Sequence, residues 1–185
     1  HAEPSEGQRM HKAMWVFGYG SLIWNPEFPV AEQQIARLAD WHRSFCMRSI
    51  HHRGSVAAPG LVLALDHLPG AHCDGVAFRV QPGQEAATLA ALRERELISS
   101  AYLERDLDLK LRDGRKVSAL TFVIDAEHDQ YCGGLPLPEQ AQIIAHATGG
   151  RGPNRDYLFA TARHLADLGI EDGDLSWLAA QVGQM

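Results

Sequence analysis

Between Leu103 and Ile124 the chain reads "LERDLDLKLRDGRKVSALTFVI", a stretch with little structural choice. Leu103, Arg105, Leu107, Leu109 and Leu111 fall at alternate positions, the period that puts side chains on one face of a strand. "RDGR" then supplies Asp113-Gly114, a pair suited to the positive φ angles of a tight turn, and Val117 to Ile124 returns. The pattern predicts a β-hairpin. Further short strands bounded by Gly and Pro are expected at Met14 to Gly18, Trp41 to Ile50, Gly60 to Leu65 and Asp74 to Val80. Helical composition marks Gly83 to Ile98, then Glu139 to Thr148, Asn154 to Leu168 and Leu175 to Val182. Pro153 suits a first-turn proline and Asp174 an N-cap. Most strands come early and most helices late, so the class is α+β rather than a regular βαβ alternation.

With 185 residues, one domain is expected. A chain of that length buries roughly two-thirds to 70% of its unfolded surface. Residues 1–13 read as a disordered or extended tail and 14–185 as the domain. The three cysteines, Cys46, Cys73 and Cys132, are odd in number and form no CxxC pair, which argues against a disulfide framework or a zinc knuckle and for a reducing, cytoplasmic setting. "HAEPSEGQRMHKAM" lacks the apolar core of a signal peptide, and no later apolar run approaches the ~18 residues of a membrane span. Net charge is −6, with basic residues scattered among acidic ones, so neither nucleic acid nor an acidic membrane surface is an expected partner.

The stretch "VFGYGSLIW", Val16 to Trp24, carries the first chemical signal. A strand ending in Gly-x-Gly can turn sharply and expose successive N–H groups as a concave nest for an anion or a developing oxyanion; equally, it can be a simple tight turn. Nucleotide motifs are excluded, because there is no third glycine at G-x-G-x-x-G spacing and no Gly-Lys-Ser/Thr. Ser21 does not sit in a G-x-S-x-G elbow, since Ile23 occupies the second glycine position.

A second signal lies in "RERE". At about 100° per residue, Leu89 and Leu92 define an apolar helix face about 60° wide, and Glu96 falls between them while Glu94 points away. Glu96 is therefore a proton-transfer group in a pocket, a partner in a buried ion pair, or a residue of a frayed last turn. The ten histidines offer no H-x-x-x-H or His/Cys cluster, and adjacent His51 and His52 face opposite sides of a strand. No metal is expected.

Taken together, these stretches resemble the ChaC-type γ-glutamylcyclotransferases, which act on glutathione. "WVFGYGSLIWNPEF" (Trp15 to Phe28) is similar to that family's N-terminal signature nearly residue for residue. "HRGSVAAPGLVLAL", "GVAFRV", "RELISSAY" and "GPNRDYLFATARHL" follow in the family's order. The resemblance implies a mixed-sheet, barrel-like γ-glutamylcyclotransferase fold with surrounding helices and a pocket at the end of the first strand. It also implies that Tyr19, Gly20, Ser21 and Leu22 form the loop holding the γ-glutamyl group, with Glu96 as general acid/base. Where family members often carry glycine before the tyrosine of a "GAY" or "GGY" element, Ser99, Ser100 and Ala101 precede Tyr102 here, a departure that bears on loop path and substrate preference.

The reaction so implied is an intramolecular cyclisation needing no cofactor: the substrate's own α-amine closes on the γ-carbonyl, releasing 5-oxoproline and Cys-Gly. Glutathione is the expected small-molecule partner. Arg53 and Tyr157 are candidates for further substrate contacts. Arg53 also suits a solvated turn, and Tyr157 a core position on the stripe with Leu158, Thr161 and Leu165. Ser21 either binds substrate or caps the turn. Other γ-glutamyl amines or peptides as substrates, a non-catalytic γ-glutamyl-binding module, and an amidase using Ser21 stand as alternatives.

Overall fold

Two long strands carry most of the architecture. In the computed structural model, which describes residues 13–96 and 100–185, β2 (Val30–Ser49) and β3 (Gly60–Val80) follow β1 (Trp15–Gly18) and pair antiparallel along most of their length. The expected Gly60 to Leu65 and Asp74 to Val80 strands are thus one. "DHLPGAH" between them resembles a turn because of Pro69 and Gly70, but the ladder passes it as a bulge opposite Asp40. Asp40 adopts φ 69°, a left-handed conformation that Asp tolerates, and its Oδ1 accepts from Gly70 N–H at 3.0 Å. The strand expected at Trp41 to Ile50 likewise begins at Val30. Glu32 and Gln34 share a face with Ala36 and Leu38, and these polar residues hide the alternation.

The predicted hairpin is present as β4 (Tyr102–Leu111) and β5 (Lys116–Ile124), in register from Tyr102↔Ile124 to Lys110↔Lys116. Gly114 sits in its turn at φ 96°. β2 joins β4 through Ala36–Leu38, and β1 lies antiparallel to β3 and parallel to β5, closing a barrel of order β1-β3-β2-β4-β5. Closure leaves no free edge around the ring. Trp15, Phe17, Leu38, Leu65, Leu109, Leu111 and Val123 belong to one buried cluster contributed by all five strands.

Around the barrel lie α1 (Glu85–Glu96), α2 (Leu137–His146), α3 (Asn154–Asp167) and α4 (Gly173–Gly183). Their bounds differ from the expected ones by a few residues at most, and Ile98 lies outside the described residues, as do residues 1–12 of the expected tail. Asp172, not Asp174, caps α4: its Oδ1 accepts from Leu175 N–H at 3.1 Å. Pro153 stands just before α3, in the two-residue strand β7 (Gly152–Pro153) paired with β6 (Thr148–Gly149), instead of inside the first turn. Helices α2, α3 and α4 bury Ile144, Leu158, Leu165, Leu175 and Leu178 against Phe45, Leu61 and Leu63 of β2 and β3. The three thiols are free.

One junction matters for the site. The N-terminal end of β3 presents backbone groups to α3 and β4, where side chains take the place of a strand. Asn154 accepts from Leu61 N–H and donates to Leu61 C=O, both at 2.8 Å. Two residues on, Leu63 N–H donates to the Tyr157 hydroxyl and Leu63 C=O accepts from Tyr102 O–H, each at 3.3 Å.

Candidate active site

Where β1 ends, Gly18 and Gly20 let the chain turn in a confined place. A Cβ at Gly18 would stand 2.9 Å from the Phe78 ring, and one at Gly20 3.7 Å from the Tyr157 hydroxyl. The chain then winds into a 3₁₀ turn, Ser21–Ile23, closed by Ile23 N–H to Gly20 C=O at 3.0 Å and Asn25 N–H to Ser21 C=O at 2.9 Å. The N–H groups that open such a turn have no partner within it. Beneath, the buried guanidinium of Arg43 donates to the carbonyls of Tyr19 (3.1 Å) and Asp74 (2.8 and 2.9 Å) and pairs with Asp172 at 2.9 Å. This anchor fixes the start of the loop.

Above the turn opens a small cavity. Tyr19, Gly20, Ser21 and Leu22 form one wall, Glu96, Tyr102 and Tyr157 the others, and Phe17, Leu63 and Phe122 complete the apolar lining. Residues from β1, the turn, β3, α1, β4, β5 and α3 thus converge at one barrel end.

Glu96 is the carboxylate in this lining. It continues the buried face of α1 set by Thr88 and Leu92, with its side chain 18% exposed, while Glu94 is exposed. Burial pushes its proton affinity above the ordinary glutamate value; the Arg95 guanidinium, 3.5 Å from Oε1, partly opposes this, and the Glu27 charge adds to it. The group therefore moves toward neutrality, as suits a proton shuttle. The surrounding tyrosines stay protonated: burial raises Tyr157 to about 12 and holds Tyr19 and Tyr102 well above 10. Their hydroxyls are neutral hydrogen-bonding groups at pH 7.

Tyr19, Gly20, Ser21, Leu22, Glu96 and Tyr157 are thus brought together, whereas Arg53 is not among the lining residues. Its guanidinium donates to the carbonyls of Arg151 (3.0 Å) and Pro153 (3.2 Å) and lies 5.7 Å from the centre of the Tyr157 ring. Tyr157 is both core and wall: its ring packs edge-on against Phe45 while its hydroxyl faces the cavity. Ser21 Oγ does not cap the turn; it accepts from Arg95 Nη2 at 2.9 Å. Tyr102, Leu63, Phe17 and Phe122 are wall residues that sequence reasoning missed, because their convergence depends on barrel closure. Arg43 gave no signal, since β2 also carries Arg37 and Arg48 and only the structure shows that Arg43 is the buried one. Among the described residues no group of three or more His, Cys, Asp or Glu is placed to hold a metal, and no helix is long and apolar enough to cross a membrane.

A closed barrel whose end holds a small cavity lined by Glu96 and a glycine-bordered turn is a small-molecule type of site, and sequence comparison gives the family. The model of the ChaC-like proteins matches residues 14–185, and the chain belongs to that family. It is 37% identical over 182 residues to the glutathione-specific gamma-glutamylcyclotransferase of Escherichia coli (strain K12), covering 98% of this chain and 76% of that protein. It is 33% identical over 184 residues to the human glutathione-specific gamma-glutamylcyclotransferase 1, covering 94% of this chain and 80% of that one. The crystal structure of a yeast gamma-glutamyl cyclotransferase specific to glutathione superposes with a TM-score of 0.84 at 21% identity, covering 94% of this chain and 97% of that one, and so shares its fold.

Proposed function

We propose that this protein is a glutathione-specific γ-glutamylcyclotransferase, with residues 14–185 acting as one catalytic domain. The observation that carries the mechanism is the largely desolvated Glu96 lining a small cavity together with the Gly20–Leu22 turn. In the proposed reaction, Glu96 takes a proton from the α-ammonium of the γ-glutamyl group. The freed amine attacks the γ-carbonyl, forming the lactam C–N bond. Glu96 passes that proton to the cysteinyl nitrogen as its bond to the γ-carbon breaks, and relays the second proton that the attacking nitrogen sheds on becoming the lactam N–H, releasing 5-oxoproline and Cys-Gly, whose amine leaves as an ammonium. Atoms balance without water or a second reactant.

Its raised proton affinity supports both steps, since a shuttle works best when its pKa approaches the working pH. The developing oxyanion is assigned to N–H groups of the Gly20–Leu22 turn, each well-aimed donor contributing about 3 kcal/mol. Tyr19, Ser21, Leu22 and Tyr157 are proposed to hold the γ-glutamyl chain folded toward itself, a gain in orientation that a flexible substrate needs. Arg53 contributes by bracing the Tyr157 ring from outside. The three free thiols suit a reducing, cytoplasmic compartment.

The test is a substrate panel. Purified protein without added metal or nucleotide is incubated separately with reduced glutathione, γ-Glu-Cys and γ-Glu-Ala, and 5-oxoproline is followed by mass spectrometry. Product from glutathione alone is expected; product from the others in its place would retain the mechanism and overturn the substrate assignment.

A further inference from the structure

Arg95 follows Glu94 and precedes Glu96 on α1, and it lies outside the cavity lining, yet it bonds to three residues of the segment that follows β1. Nη2 donates to Ser21 Oγ at 2.9 Å, and Nη1 to the Asn25 carbonyl and to Glu27 Oε2, both at 3.1 Å. Its approach to Glu96, Nε to Oε1, is longer at 3.5 Å. The guanidinium is therefore spent mainly on the turn and on Glu27. Glu27 itself is held at φ 62°, a left-handed conformation unfavourable for a residue with a Cβ, and Asn25 Nδ2 donates to its other oxygen at 3.1 Å. Such strain persists where surrounding contacts fix it.

We propose that Arg95 is a positioning residue: one guanidinium locks the Ser21 turn to the helix end that carries Glu96, and Glu27 draws that guanidinium off Glu96. This rests on Glu96 being the acid/base. An arginine paired fully with Glu96 would hold it as a weakly basic carboxylate; an arginine shared with Glu27 organises the loop while leaving Glu96 able to take a proton. The other titratable groups facing Glu96 are Tyr19 from the turn, Tyr102 from β4 and Tyr157 from α3, all neutral near pH 7, so Arg95 and Glu27 supply the charges that set its balance.

The two residues have opposite signs, and the test uses this. Arg95→Met removes the cation, so the acid limb of kcat/KM on glutathione moves to higher pH. Glu27→Gln removes the anion and frees Arg95, so the limb moves to lower pH. Arg95→Met also loosens the Ser21 turn, with kcat/KM falling by up to about 100-fold, as misplacement of about an ångström near reacting groups does. Arg95→Lys restores the limb but only part of the rate, because an ammonium lacks the planar fork that serves three acceptors. Limbs that stay at the wild-type pH, or move the same way in both variants, overturn the proposal. Glu27→Gln decides the direction should Arg95→Met fail to fold. A ¹³C carboxyl titration of the substrate-free protein, with Glu96 assigned by its loss in Glu96→Gln, reads the same two shifts without turnover. An inactive wild type would therefore count against the cyclotransferase assignment while leaving the role of Arg95 decidable.

Discussion

At Glu96, chemistry and stability pull apart. Burial raises its proton affinity in the folded protein, so the fold favours the neutral acid. A group raised in this way contributes stability that is fully present below its unfolded pKa, about 4, and lost as pH rises through the folded value. Glu96→Gln keeps the shape without the charge. Its melting temperature should exceed that of the wild type at pH 8 and converge with it below about pH 4; an unchanged or lower value at pH 8 would mean that the carboxylate is not desolvated. Ser21 invites a different test. Its hydroxyl serves as an acceptor for Arg95, so Ser21→Ala should lower turnover by roughly 10- to 100-fold without abolishing it, the loss of one charge-assisted bond. Intact-protein mass spectrometry during turnover should show no covalent adduct; complete loss of activity together with an adduct would restore the serine-amidase alternative.

At the scale of elements, the junction of α3 with β3 is where folding energy supports the site. Asn154 satisfies both backbone groups of Leu61 and is itself fully buried, while Tyr157, one turn later, reaches Leu63 and the cavity. Asn154→Ala leaves two backbone groups unpaired in a closed space, an expected cost of about 2 to 4 kcal/mol in urea unfolding; a loss under about 0.5 kcal/mol would show that water replaces the amide. This junction was invisible in the sequence, where "GPNRDY" reads as a helix start and nothing marks Leu61 as its partner. The β4–β5 hairpin was legible because its pattern is local: alternation plus Asp113-Gly114 needs no other part of the chain. The β2–β3 pair was seen only in fragments, since polar Glu32 and Gln34 and the Pro69-Gly70 bulge interrupt the local pattern while long-range pairing sustains the strands. Inward-facing Glu96 was legible for the opposite reason, because helical periodicity alone placed it with Leu89 and Leu92.

For the whole molecule, a buried ion pair ties the barrel to the helical layer at the start of the loop. Arg43 of β2 holds the Tyr19 carbonyl, and Asp172, which pairs with it, caps α4. Removing one partner of such a pair leaves an uncompensated charge and costs roughly 3 to 5 kcal/mol. Asp172→Ala should therefore lower Tm by roughly 6 to 20 °C for a chain of this size, and raise KM as the loop loses its anchor; a Tm within about 2 °C of the wild type would remove the pair from the account. The composite nature of the cavity also explains which site residues could be anticipated. Glycine spacing and helical phase marked the loop and Glu96 as candidates, and the family resemblance singled them out from the plainer readings. Tyr102, Leu63 and Phe122 enter the wall only because closure of β1 against β5 curls their strands to one end.

The central claim is that one glutamate carries both proton transfers in a cyclisation of glutathione. Its most direct test compares wild type and Glu96→Gln at neutral pH, following 5-oxoproline by mass spectrometry and glutathione binding to the variant by calorimetry. The account predicts turnover by the wild type, a fall of at least about 10² to 10⁴ in the variant, and binding retained within a few-fold. Sustained 5-oxoproline formation by the variant would contradict it.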